Sequence, residues 1–411
     1  LGSLGYGDSM NIVIAGAGVA GVTAAEKARE VNPQAQITVF CLEKEALYYR
    51  PRLPDIVKGT LSVEKIFAHP DSWYQEKNIE LRKGESLIEI CAENNQVRGS
   101  LGSRLVYDTL LVATGAESSR PSPVNYDLPG VFTVRHLYDA MTLHYEAKRG
   151  KTAVMMGAGL LALEIGCALG AMGLSVHILE RAGRILPRQT TPNSAKMLKK
   201  YLTEQGLVIH LNASITGTSG ADRLQRVETS DGQPIDTQIL VVAAGVTPNL
   251  ELAKHLDLKI DRGVVVDEYL ETSKPGVYAA GDCAQTQDGA GGLWTIGRAE
   301  GLIAGHNLAV PKDQRKVYQA VPPSSSLKVA GLDLVAAGNL DPDNKLTGSE
   351  FVGEKIYRKI VVDSEGLIVG YTNLGTTAGN RELAAALGKV KIGPEVLKAF
   401  GQENFDFAGL K

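Results

Sequence analysis

Two glycine-rich segments carry the first chemical signal of this 411-residue chain. Gly16-Ala17-Gly18-Val19-Ala20-Gly21 follows the apolar run Ile12-Val13-Ile14. Gly157-Ala158-Gly159-Leu160-Leu161-Ala162 follows Val154-Met155-Met156. Each opens a stretch with helical character. A strand, then G-x-G-x-x-G or G-x-G-x-x-A, then a helix is a dinucleotide-binding pattern. Its first glycine makes the tight turn, its second lets the backbone approach a pyrophosphate, and its third lets helix and strand pack closely. The helix N-terminus adds unpaired N–H groups and about half a positive charge. Two such units imply two dinucleotides and a hydride passed between them.

Each turn is followed by an acid at the expected remove. Glu43 lies just past the strand-like Ile37-Thr38-Val39-Phe40, and Glu180 ends Val176-His177-Ile178-Leu179. A carboxylate about 20 residues beyond the glycines accepts hydrogen bonds from a ribose. Either acid alone could be a solvated strand end; the matched spacing of both favours the ribose. Glu180 also bears on the choice of nucleotide, because a carboxylate there repels a 2′-phosphate. NADH is therefore expected as donor and NADPH disfavoured. Arg181 next door, and Ala162 in place of the third glycine, weaken that preference without reversing it.

Three further segments complete a pattern: Val277-Tyr278-Ala279-Ala280-Gly281-Asp282, a buried run from Tyr107 to Thr114-Gly115, and Val241-Val242-Ala243-Ala244-Gly245 leading to Pro248-Asn249. Together with the two fingerprints, from about Met10 to about Ala309, they resemble the pyridine nucleotide–disulfide oxidoreductase superfamily. The resemblance implies an α/β protein with two Rossmann-like dinucleotide-binding domains, glutathione-reductase-like, plus a small α+β C-terminal domain. It implies FAD at Gly16, Gly18, Gly21, Glu43, Thr114, Gly115, Gly281 and Asp282, with Asp282 on the flavin's ribityl or pyrophosphate part. It implies NADH at Gly157, Gly159, Glu180 and Gly245, with Glu164 as a contact on the nicotinamide side. Hydride then passes from the nicotinamide to the flavin with the protein supplying orientation, exclusion of water and electrostatics. No side chain is assigned a catalytic role in that transfer.

The disulfide of the superfamily's name is not expected here. The stretch where its thiol-dependent members carry their cysteines reads Leu47-Tyr48-Tyr49-Arg50-Pro51-Arg52-Leu53-Pro54. The four cysteines, Cys41, Cys91, Cys167 and Cys283, are too scattered for a redox pair or a zinc site. Small buried hydrophobes are the plainer reading of Cys41, Cys91 and Cys167. Cys283 follows Asp282 but lacks a partner in sequence. The Tyr-Tyr-Arg-Pro-Arg-Leu stretch resembles NADH:rubredoxin oxidoreductases and the flavin module of assimilatory nitrite reductases. So do Gly292-Leu293-Trp294-Thr295 and the later Tyr357-Arg358-Lys359-Ile360 and Gly370-Tyr371-Thr372-Asn373. That resemblance puts Arg50 and Pro51 near FAD. It also makes Trp294 and Thr295 the start of a helix whose dipole faces the flavin. Arg52 could equally be a loop salt bridge, and Trp294 could be ordinary packing.

The elements that must position these residues follow from the same sequence. The expected FAD-binding domain is discontinuous, residues 10–120 and 246–320, with the NAD-binding domain inserted at 121–245. A C-terminal α+β domain occupies 321–411, its alternation at Leu327-Lys328-Val329 and Leu332-Asp333-Leu334-Val335 reading as an antiparallel sheet and Arg381-Glu382-Leu383-Ala384-Ala385-Ala386-Leu387 as a short helix. Residues 1–9 read as an expression remnant ahead of a native start at Met10, with no signal peptide. A hydrophobic content of 44% suffices for sizeable cores, and a net charge of −3 gives no nucleic-acid signal. No apolar run reaches membrane-spanning length, and few unpaired cysteines suit a reducing cytoplasm. The resulting expectation is an NADH:acceptor reductase that passes single electrons to a small redox protein such as rubredoxin. Its alternatives are an NADH oxidase or diaphorase, or the electron-input subunit of a nitrite or nitric oxide reducing system. A homodimer is left open.

Overall fold

The apolar runs beside the glycine turns are continuous rather than alternating, as strands buried on both faces require. In a computed structural model they form two parallel sheets. The structure describes residues 10–410 apart from 92–93, 288, 330 and 342–344; the stretch 1–9 lies outside the described residues. The first sheet has the order Val277–Ala279, Thr109–Val112, Asn11–Ala15, Gln36–Cys41, Ile79–Lys83, and every pairing in it is parallel. Ile12, Ile14, Val39, Leu110 and Leu111 are fully buried in it.

The second sheet repeats that plan. Its order is Val131–Thr133, Ile239–Val242, Thr152–Met156, Ser175–Glu180, Leu207–Leu211, again parallel throughout. In both, the fingerprint strand is central. In both, a three-stranded antiparallel meander interrupts the chain between the third strand and the strand that returns beside the fingerprint. The meanders are Leu87–Cys91, Gln96–Gly99 and Arg104–Val106 in one, Ile215–Ser219, Arg226–Thr229 and Ile235–Asp236 in the other. The internal repeat therefore extends beyond the β–α–β fingerprint to a whole sheet topology.

Contacts group the chain into two units. One contains the residues through Tyr49 with Val63–Glu117 and Val246–Val321; the other contains Arg50–Ser62, Ser118–Gly245 and Pro322–Lys411. The boundaries expected from sequence keep residues 50–62 with the FAD-binding segments, whereas packing places them in the second unit. The cause is the short helix Leu53–Lys58, which buries Leu53, Ile56 and Val57. The Val57 carbonyl lies 2.8 Å from Nδ1 of His144 on the helix Leu137–Ala147.

In the first unit the fingerprint helix Val19–Val31 lies against the helix Trp294–Leu308 through small residues. A Cβ on Gly301 would fall 2.5 Å from the Ala20 carbonyl oxygen, and one on Gly305 would fall 2.3 Å from that of Ala24. At these two positions the helix backbones approach so closely that no side chain fits between them.

Residues 322–411 contribute a five-stranded antiparallel sheet in the order Ser324–Val329, Leu332–Gly338, Ile368–Leu374, Tyr357–Val362, Thr347–Val352. The helix Asn380–Ala386 covers it and buries Leu383 and Ala386. Arg358 in this sheet is 5% exposed. Its guanidinium donates to the carbonyls of Phe400, Gln402 and Glu403 and stacks over the Phe351 ring at 4.7 Å. Carbonyls and an aromatic face thus compensate a buried charge, with the Glu403 charge adding to them. Among the described residues no helix is long and apolar enough to cross a membrane.

Candidate dinucleotide sites

In the first unit the turn is built from backbone alone. Gly16 has φ +120°, and a Cβ there would lie 2.1 Å from the Ala113 carbonyl oxygen; a Cβ on Gly21 would lie 1.9 Å from that of Gly16. These two glycines have no substitute without moving the strand beside them. Gly18 is the opposite case, with nothing within 4 Å of a Cβ position. It caps the helix Val19–Val31, which has no side-chain cap and no acid in its first turn. The first N–H groups of that helix are therefore left for a ligand. An open middle glycine below an uncapped helix is the shape a pyrophosphate needs, so the residues present fit FAD.

The other sequence-selected groups of this unit are each held by identifiable bonds. The Glu43 carboxylate accepts from the Tyr48 hydroxyl at 2.7 Å, and its carbonyl accepts from the Gly84 N–H at 2.9 Å. This holds a half-buried carboxylate just past the second strand. Thr114 and Gly115 follow the strand Thr109–Val112 and are tied to Asn249. The Thr114 hydroxyl donates to the Asn249 carbonyl at 2.8 Å, the Asn249 side chain returns a bond to the Thr114 carbonyl at 2.9 Å, and the Asn249 N–H donates to the Gly115 carbonyl at 2.9 Å. The Thr114 hydroxyl thus staples two passages of the chain. Gly281 donates its N–H to Glu300 at 2.6 Å, and Asp282 follows, half-buried.

Trp294 and Thr295 open the helix Trp294–Leu308, which likewise has no side-chain cap and no acid in its first turn. Trp294 packs against the core, and its ring centroid lies 5.4 Å from that of Tyr49. Arg50 and Pro51 form a 3₁₀ turn in the second unit, where Arg50 donates to the Arg135 carbonyl. Arg52 pairs with Asp55 at 3.1 Å, both half-exposed.

The second unit repeats the device with one change. Gly157 has φ +102° and a Cβ there would lie 2.9 Å from the Ala243 carbonyl oxygen, while Gly159 again has nothing within 4 Å. The third position is Ala162, fully buried, so this helix stands far enough from its turn to accept a methyl group. The helix Leu160–Ala171 has no side-chain cap and no first-turn acid. Glu180 ends its strand with both oxygens held. Oε2 accepts from the Ala158 N–H at 2.8 Å and Oε1 from the Ala182 N–H at 2.7 Å. The carboxylate is pinned beside the glycine turn, in a position that fits a nicotinamide dinucleotide's ribose. Gly245 follows the strand Ile239–Val242, and its carbonyl accepts from the Ser119 N–H at 3.0 Å.

Glu164 lies one turn into the second fingerprint helix, half-buried. Its charge helps push the nearby Cys167 thiol up to about 11, after burial, while Lys58 opposes the shift. Cys283 is fully buried; burial raises its thiol, against hydrogen bonds from Thr114 and Gly115. Cys41 is buried as well. Among the described residues no group of three or more His, Cys, Asp or Glu could hold a metal.

Sequence reasoning missed Tyr48, Asn249 and Glu300 as partners of these groups. Tyr48 and Asn249 stand inside segments already singled out. The Asn249 and Glu300 bonds join residues 135 and 19 positions apart that only folding brings together.

Comparison with known proteins places the chain in a family. Residues 10–301 match the family model described as pyridine nucleotide-disulphide oxidoreductase. The chain is 31% identical to the assimilatory nitrate reductase electron transfer subunit of Bacillus subtilis over 92% of its own length, and spans 49% of that relative. It is 31% identical to an NADH oxidase of Methanocaldococcus jannaschii, covering 89% of this chain and 88% of the relative. The crystal structure of NADH:rubredoxin oxidoreductase from Clostridium acetobutylicum superposes with a TM-score of 0.75 at 27% identity, covering 92% of this chain and 95% of that one. The chain thus belongs to the pyridine nucleotide-disulphide oxidoreductase family, whose members bind FAD and use NADH.

Proposed function

We propose that this protein is an NADH:acceptor oxidoreductase that delivers single electrons to a small iron protein of the rubredoxin kind. The observation that carries the reading is the similarity to NADH:rubredoxin oxidoreductase along nearly the whole of both chains, joined to two complete fingerprint turns. When bound, FAD would supply the redox chemistry, two-electron acceptance from NADH and one-electron release.

The chain's own residues bind and orient. Gly16, Gly18, Gly21, Glu43, Gly281 and Asp282 hold FAD in the first unit, with Thr114 and Gly115 at the strand end behind it. Arg50 and Pro51 are assigned to the same cofactor from the resemblance. Gly157, Gly159, Glu180 and Gly245 hold NADH in the second unit, with Glu164 on the nicotinamide side. The uncapped helix beginning at Trp294 and Thr295 offers its positive end to negative charge on the reduced cofactor.

No thiol relay is needed on this reading. Its support is the burial of Cys41 and Cys283 and the upward shift of the Cys167 and Cys283 thiols, since the thiolate is the reactive form. The NADH oxidase relative favours a second reading, in which oxygen takes the electrons.

The acceptor decides between them. With a small acidic iron protein as acceptor, turnover should exceed that with oxygen and fall as salt rises, because opposite charges steer the encounter. Reduction of the bound flavin by NADH, followed alone by stopped flow, should barely respond over the same range. Turnover with rubredoxin no faster than with oxygen at any salt overturns the rubredoxin assignment and leaves the oxidase.

Two substitutions test the binding assignments. Gly18→Val should abolish FAD retention through gel filtration while leaving the apoprotein's unfolding midpoint unchanged, because its side chain enters open space. Full retention of FAD would show that the pyrophosphate lies elsewhere. Glu180→Gln keeps an acceptor for the turn and removes the charge. The wild-type ratio of kcat/KM for NADH over NADPH should exceed about 10 and drop about tenfold in this variant, a change of about 1.4 kcal/mol. An unchanged ratio would place discrimination elsewhere, with Arg181 the first residue to examine.

A further inference from the structure

Glu300 is the one acid on the helix Trp294–Leu308, and it is 1% exposed. A buried carboxyl is costly unless a hydrogen bond compensates it. Here Oε2 accepts the Gly281 N–H at 2.6 Å. Burial first, and then the charge of Asp282, push the carboxyl up to about 7 against the opposing pull of that N–H.

The surroundings leave the residue little freedom. A Cβ on the next residue, Gly301, would lie 2.5 Å from the Ala20 carbonyl oxygen of the fingerprint helix. Gly281 directly follows the buried strand Val277–Ala279 and Ala280. Glu300 therefore joins the helix packed on the first fingerprint to the turn that carries Asp282. A Leu or Met there could not accept the Gly281 N–H that the carboxyl holds.

We infer that Glu300 is a positioning residue for FAD: by holding the Gly281 N–H it fixes the turn from which Asp282 reaches the cofactor. The inference rests on the assignment of Asp282 to FAD given above. Glu300 itself need not touch FAD. Its effect passes through Asp282, which separates it from a residue that merely stabilises the core.

The test titrates FAD into the apoprotein and reads Kd from quenching of flavin fluorescence, with apoprotein unfolding recorded in parallel. Loss of one hydrogen bond to a charged group predicts that Glu300→Leu weakens FAD about tenfold or more. Glu300→Gln, which keeps an acceptor oxygen, should stay within about threefold of the parent. Asp282→Asn should weaken FAD by itself, and the Glu300→Leu, Asp282→Asn double variant should bind no more than about threefold worse than Asp282→Asn alone, as non-additive partners do.

Parent-like Kd for Glu300→Leu, a Gln variant as weak as the Leu variant, or additive losses would each overturn the inference. Glu300→Met is the second variant should the Leu variant not fold. Failure of both to give a folded apoprotein also overturns it, since the residue would then serve the fold rather than the cofactor. Parent-like Kd for Asp282→Asn would instead remove the Asp282 assignment, so the two failures are distinguishable.

Discussion

The structure depends on a contact from which side chains are excluded. At each glycine turn the first glycine lies so close to the carbonyl of a neighbouring strand, that of Ala113 for Gly16 and Ala243 for Gly157, that a Cβ would overlap it. The middle glycine, Gly18 or Gly159, faces open space. This closes the strand-to-helix junction tightly and leaves the helix N–H groups uncovered. The central place of the fingerprint strand, the carboxylate past the end of its neighbour and the uncapped helix all serve that junction.

The same plan is used twice and tuned differently. In the first unit Gly21 has no room for a methyl group, and the fingerprint helix is further clamped by the glycine face of the helix Trp294–Leu308 on Ala20 and Ala24. In the second unit Ala162 takes the equivalent place. The acids differ too: Glu43 is steadied by a tyrosine hydroxyl, whereas Glu180 is held through both oxygens by backbone N–H groups. On the proposed assignment, a carboxylate held through both oxygens resists swinging aside for a 2′-phosphate, which is the physical basis for expecting NADH.

Local signals made much of the fold legible in the sequence. The runs at Ile12, Ile37, Val154 and Val176 form strands where expected, the Trp294 helix begins at Trp294, and the C-terminal alternation gives an antiparallel sheet. Each depends on neighbours a few residues away. The repeat of a whole sheet order was not legible, because the meanders share topology and no common pattern of residue types. Nor was the packing of residues 50–62, which the buried face of Leu53, Ile56 and Val57 decides. The hydroxyl of Thr114 and the carboxyl of Glu300 find partners 135 and 19 residues away, and no spacing rule reports such pairs. The sequence marked the glycines and acids of the candidate sites; it did not show how those groups are held.

The central claim is that the redox capacity of this chain is that of its flavin, without a cysteine pair in series. Anaerobic titration of the FAD-loaded protein with NADH tests this most directly, because each redox centre that accepts two electrons consumes one NADH. The account predicts that about one NADH per FAD bleaches the flavin absorbance completely, with no further uptake. Consumption of about two NADH per FAD before full reduction would reveal a second two-electron centre and contradict it.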